Sequence, residues 1–141
     1  MSETTGAAES GGNEPRWLTE TQVEMLHAAS LDLFGGLPGL RDRGLLQGAI
    51  ARAQHLYAYG ESHGLFELAA AYGHGIAKNH AFVDGNKRAA LLSIRAFLFS
   101  NGYRFEPDET EAVMMMEGVA DGAVDQATLA DWIGKVATPK V

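Results

Sequence analysis

Apolar residues in this chain recur at helical spacing in six separate runs, and a glycine, a proline or a cap-forming side chain cuts the pattern between them. Strand signals are almost absent, so the sequence predicts an all-α fold, a compact bundle of about six helices. The first run opens at Thr19 with Gln22 as its capping-box partner. It carries Val23, Leu26, Ala29 and Leu33, and Gly35-Gly36-Leu37-Pro38-Gly39 stops it. The second runs from Asp42 or Arg43 to about His55, with Leu45, Leu46, Ala49, Ile50 and Ala53 on one side. The aromatic segment Leu56 to His63 breaks that spacing and reads as a loop or short hairpin. The third helix spans Leu65 to Asn79, and its alanines and glycines predict close packing at the centre of the bundle.

A fourth helix runs from about Lys87 to Ser100 and ends at Asn101-Gly102. Tyr103-Arg104-Phe105 is extended, Pro107 introduces a fifth helix over Asp108 to Asp121, and a sixth runs from Gln126 or Ala127 to Val136 with Leu129, Trp132 and Ile133 facing inward. Residues 1 to 15 are rich in Gly, Ser, Glu and Thr and read as a disordered tail ahead of one domain over residues 16 to 137. A length of 141 residues with 46% apolar content fits one domain with one core. There is no cysteine, which excludes a disulfide framework and a thiolate metal site. No apolar run is long enough for a membrane span, and the N-terminus lacks a signal peptide's basic start and apolar stretch, so a soluble cytoplasmic protein is expected. The net charge of −7 argues against direct nucleic-acid binding and makes local cations stand out.

Two such cations close the densest stretch of the chain, His80-Ala81-Phe82-Val83-Asp84-Gly85-Asn86-Lys87-Arg88. His80 sits at a helix end, and an imidazole there is the kind of group that serves as general base toward a hydroxyl. Asp84 is an oxygen donor of the kind Mg²⁺ prefers. Gly85 and Asn86 let main-chain amides converge at a helix N-terminus, where the dipole favours anions. Lys87 and Arg88 add positive charge, and an arginine grips phosphate with paired hydrogen bonds. Each residue alone has a plainer use: a terminal histidine is more often structural, Asp-Gly-Asn is a common turn, and a Lys-Arg pair usually faces solvent. Together, in this order, they compose a base, a metal ligand and an anion hole, the set that phosphoryl or nucleotidyl transfer requires.

The same nine residues match the Fic/Doc signature, H-x-F-x-[D/E]-[G/A]-N-[G/K]-R, at His80, Phe82, Asp84, Gly85, Asn86, Lys87 and Arg88. The resemblance extends over about residues 17 to 135, through Gly35 to Gly39 with Arg41-Asp42, the segment Leu45 to Arg52, Leu65-Phe66-Glu67, and Phe97-Leu98 with Asn101-Gly102, and it is strongest to the Doc (death-on-curing) branch. It implies an all-α enzyme that moves part of ATP onto a protein hydroxyl. His80 would deprotonate the hydroxyl, Asp84 would hold Mg²⁺, the Gly85-Asn86-Lys87 backbone would form the anion hole, Arg88 would bind a nucleotide phosphate, and Phe82 would anchor the loop. It also places a target-aligning flap at Leu56 to His63.

Lys87 stands where AMP-transferring Fic proteins usually carry glycine, as in Doc, which implies transfer of the γ-phosphate to a threonine of elongation factor Tu and arrest of translation. AMP transfer is the alternative, and a non-catalytic partner or co-repressor of an antitoxin is the alternative of another class. Ala81 replaces the proline common in Fic motifs, and Gly85 is the Fic-type residue where Doc has alanine. The inhibitory pattern [S/T]-x-x-x-E-[G/N] is not met. Ser10 to Glu14 has the spacing but Pro15 follows, and Glu117-Gly118 has Val113 where Ser or Thr is required. A Phd-like antitoxin is therefore the implied inhibitor. His27, His55, His63 and His74 are scattered with no metal-binding spacing. Met114 to Met116 and the two tryptophans read as packing residues, and Arg41-Asp42 as the start of the second helix.

Overall fold

The computed structural model describes residues 14 to 62 and 64 to 141. Six helices and one small sheet follow in order: α1 (Glu20–Phe34), α2 (Arg43–Ala58), α3 (Leu65–Asn79), α4 (Asn86–Ser100), β1 (Tyr103–Arg104), α5 (Glu109–Asp121), α6 (Gln126–Val136) and β2 (Thr138–Pro139). The starts are set by side-chain caps. Thr19 and Gln22 form the capping box, each side chain taking the other's amide at 3.1 and 2.8 Å. Asp42, Asp108 and Asp125 do the same singly for α2, α5 and α6, accepting from Leu45, Glu111 and Thr128.

The middle of the bundle is α3, which packs against α2, α4, α5 and α6. Every residue from Leu68 to Ala77 except His74 is buried. Its small residues permit this. A Cβ on Gly75 would lie 3.2 Å from the main chain of Ala49 on α2, closer than packed helices tolerate. Tyr72, fully buried on α3, accepts the Leu18 amide at 3.0 Å and so hooks the segment before α1 onto the core; burial pushes its phenol up to about 12.

Three expectations change. The segment from Leu56 continues α2 through Ala58 and then turns, with Glu61 and Ser62 donating to the Leu56 carbonyl; no hairpin forms among the described residues, and His63 lies outside them. Leu56 and Tyr57 extend the partly buried stripe of α2, and Tyr57 meets Trp17 edge-on at 5.5 Å, so these two residues are a helix face rather than a break, while Tyr59 ends the helix and is exposed. On α1 the buried face is Val23, His27 and Ser30, while Leu33 is 77% exposed: the stripe chosen by hydrophobicity is rotated from the one that docks. The extended Tyr103–Arg104 pairs antiparallel with Thr138–Pro139, a second strand too short to announce itself. Residues 1 to 13 of the expected tail lie outside the described residues. Among those described, no helix is long and apolar enough to cross a membrane.

Candidate active site

The nine-residue motif joins α3, the central helix, to α4. His80 caps α3 in the left-handed region, φ 51° and ψ 47°, and among the described residues no other non-glycine has positive φ. Such a turn needs outside support. The chain just before α2 supplies it. The amides of Arg41 and Asp42 donate to the Ala81 carbonyl at 2.7 and 3.0 Å, and Val83 donates to Gly39 at 3.0 Å, so Leu40 and Phe82 pair as a strand-like bridge. The Arg41 guanidinium donates to the carbonyls of His80, at 2.8 Å, and Asn79, at 3.4 Å, which are orphan acceptors at a helix end.

Inside the motif, Phe82 is 3% exposed and lies flat on the His27 ring, centroids 3.8 Å apart. The Asn86 side chain takes both main-chain groups of Phe82, accepting its amide and donating to its carbonyl, each at 3.0 Å. The His27 Nε2 lies 2.7 Å from the Asp84 carbonyl. Main chain and side chains thus fix the loop before any ligand arrives.

Asp84 points its carboxylate outward. One oxygen accepts the Gly85 amide at 2.9 Å and the other the Leu37 amide at 3.0 Å. These bonds, Leu37's first, hold its pKa below the usual aspartate value, so it is an anion at neutral pH. Gly85, at φ 75°, turns the chain into α4 with no side-chain cap. Among the described residues, Ala89 is the first amide of α4 with a main-chain bond, to Gly85, and the amides of Asn86, Lys87 and Arg88 ahead of it meet no acceptor. Lys87 and Arg88 are exposed and enter no ion pair among the described residues, where Arg43 pairs with Glu20 and Glu24. The Arg88 guanidinium lies over the Phe34 ring at 3.9 Å.

His80, Asp84, Gly85, Asn86, Lys87 and Arg88 all line one cleft of about 880 Å³ between the motif, α1, α4 and α5, large enough for a nucleotide. Among the described residues the His80 imidazole has no hydrogen-bond partner. The donor set also fits a magnesium ion. No three of His, Cys, Asp and Glu converge among the described residues, so a cation held by Asp84 would take most of its ligands from phosphate and water, the usual magnesium arrangement.

Asn86 offers the site its main-chain amide, the group expected of it, while its side chain is spent on Phe82. Other placements differ from expectation. The segment from Leu56 does not line the cleft, whereas Gly35 and Gly36 do, and the strand-like pairing with the motif comes from residues 39 to 42. Asp42 caps α2, but Arg41 serves the motif instead. His27 was passed over; its one signal was its register with Val23 and Ser30 on α1, a polar group on a face that proves buried.

A sequence model described as the Fic/DOC family matches residues 17–98. The chain belongs to the Fic/DOC family. Its helices and the HAFVDGNKR loop are those of a Fic/Doc fold. Within the family it is similar to the protein kinase doc of Escherichia phage P1, 36% identical over 121 residues that cover 86% of this chain and 95% of the relative. It is also similar to the toxin Doc of Mycolicibacterium smegmatis, 38% identical over 107 residues, 72% of this chain and 82% of the relative. This Fic/Doc protein is thus of the Doc kind along nearly the whole relative.

Proposed function

We propose that the protein is a Doc-type toxin and protein kinase, transferring the γ-phosphate of ATP to a hydroxyl of a protein target. The observation that carries this reading is the convergence on one cleft of the His80 imidazole, an ionised carboxylate at Asp84 and three amides at the start of α4 that meet no acceptor among the described residues. The names of the two relatives, one a kinase and one a toxin, support it.

His80 takes the proton of the target hydroxyl as the oxygen attacks the γ-phosphorus. The bond from that phosphorus to the β,γ-bridging oxygen breaks, and ADP leaves. The amides of Asn86, Lys87 and Arg88, with the Lys87 and Arg88 side chains, stabilise charge on the phosphate oxygens. Asp84 would hold Mg²⁺, which neutralises phosphate charge when bound. A threonine of elongation factor Tu is the target the family resemblance favours, so the protein would act in the cytoplasm and halt translation. A Phd-like antitoxin is the matching inhibitor.

The test is incubation of the purified protein with elongation factor Tu, Mg²⁺ and ATP labelled at the γ or the α position. Label from the γ position is expected. Label from the α position alone would establish AMP transfer, the reading that Gly85 favours, since it is the Fic-type residue at its place. Label from neither, with toxicity retained by His80→Ala, would leave a binding role.

A further inference from the structure

We propose that His27 is the residue that positions Asp84, acting through the peptide that joins Asp84 to Gly85. The inference rests on the reading of Asp84 as the cation ligand. His27 lies on α1, 57 residues before Asp84, and is 4% exposed. A main-chain carbonyl only accepts hydrogen bonds, so at 2.7 Å from the Asp84 oxygen the Nε2 of His27 carries the proton and donates it. The ring is stacked on the buried Phe82 ring, within 9° of parallel, and a Cβ on Gly85 would lie 3.4 Å from its Nε2. One imidazole therefore meets residues 82 and 84 and lies beside the turn at Gly85.

Peptide geometry carries the effect to the carboxylate. In a trans peptide the C=O of one residue and the N–H of the next point in opposite directions. With the Asp84 carbonyl drawn inward to His27, the Gly85 N–H is turned outward. There it meets the Asp84 Oδ1 at 2.9 Å. The donor on α1 thereby fixes the plane of one peptide, and that peptide fixes the carboxylate. The same plane leads directly into the open amides of α4. Partners one step behind a metal ligand commonly alter metal affinity by about 10- to 100-fold when removed.

Four variants test this. His27→Phe keeps a ring on Phe82 and removes the donor. His27→Met and His27→Gln differ from each other little in shape but only Gln has a donor near the Nε2 position. Asp84→Asn tests the cation reading itself. Mn²⁺ binding in the presence of a non-hydrolysable ATP analogue is followed by electron paramagnetic resonance, and the Gly85 amide resonance is followed in the metal-free protein. His27→Phe and His27→Met are expected to weaken Mn²⁺ binding roughly tenfold or more and to move the Gly85 resonance, with His27→Gln recovering most of both. Wild-type Mn²⁺ affinity in His27→Met, or no recovery in His27→Gln relative to His27→Met, would overturn the inference while Asp84→Asn still binds weakly. Wild-type affinity in Asp84→Asn would instead overturn the cation reading and this inference with it. If His27→Phe does not fold, the Met and Gln pair alone decides.

Discussion

The Arg41 guanidinium holds the main-chain carbonyl of His80 at 2.8 Å, at a residue whose left-handed backbone a side chain rarely adopts. Arg41 is exposed, and among the described residues its side chain makes no other hydrogen bond to the motif, so its effect should fall on the placement of His80. Arg41→Ala should lower kcat by roughly tenfold with little change in KM for ATP, and reduce stability by about 1 kcal/mol. Steady-state kinetics with urea unfolding checks both. A change confined to KM would show that Arg41 does not act through His80.

His80→Gly separates chemistry from folding more sharply than an alanine does. Glycine adopts φ 51° without the steric cost borne by histidine, so the variant should lose all transfer yet unfold with a stability equal to wild type or higher by about 1 kcal/mol. Calorimetry of the two proteins under one buffer decides it.

Asn86→Ala removes an acceptor and a donor from the buried main chain of Phe82 at once. Two unsatisfied groups in the core should cost about 2 kcal/mol or more, and the loop should loosen, so activity falls together with the melting temperature. Lys87→Ala, exposed one position later, should leave the melting temperature unchanged and depress only the transfer step.

His74 gives the fold a pH dependence away from the cleft. Burial first, then the cations Arg52 and Lys78, hold its imidazole below the usual 6.5, with Asp125 pulling the other way. The unfolded chain therefore takes up the proton first as pH falls through 6.5, and stability must drop on the acid side. Urea midpoints at about pH 7.5 and about pH 5.5 should differ in wild type and differ less in His74→Gln. An unchanged difference in the variant would place the dependence elsewhere.

What could be read from residues alone was whatever local chemistry dictates. The capping box at Thr19 and Gln22, the glycine-rich stop after α1 and the crowding of α3 all follow from neighbours in sequence. So did the six cleft residues, because one short loop supplies them all. The rest depended on distant partners. Leu56 and Tyr57 read as a break until the fold packs both on the core and brings Trp17 against Tyr57. His27 has no informative neighbours on α1, and its ring's partners lie 55 or more residues away on a loop that only the fold delivers. Arg41 reads as part of a helix start because it stands next to the N-cap Asp42, while its amide bonds Ala81 and its side chain faces back to the end of α3.

The bonds of Asn86 to Phe82 lie wholly inside the motif and ask nothing of a ligand. A loop assembled in this way has no resting state of its own: it is armed as soon as the chain folds. On the reading advanced above, neutralisation would then be a matter of dose. An inhibitor would have to sit on every copy for as long as that copy survives, and the cell's safety would depend on which of the two proteins is degraded faster.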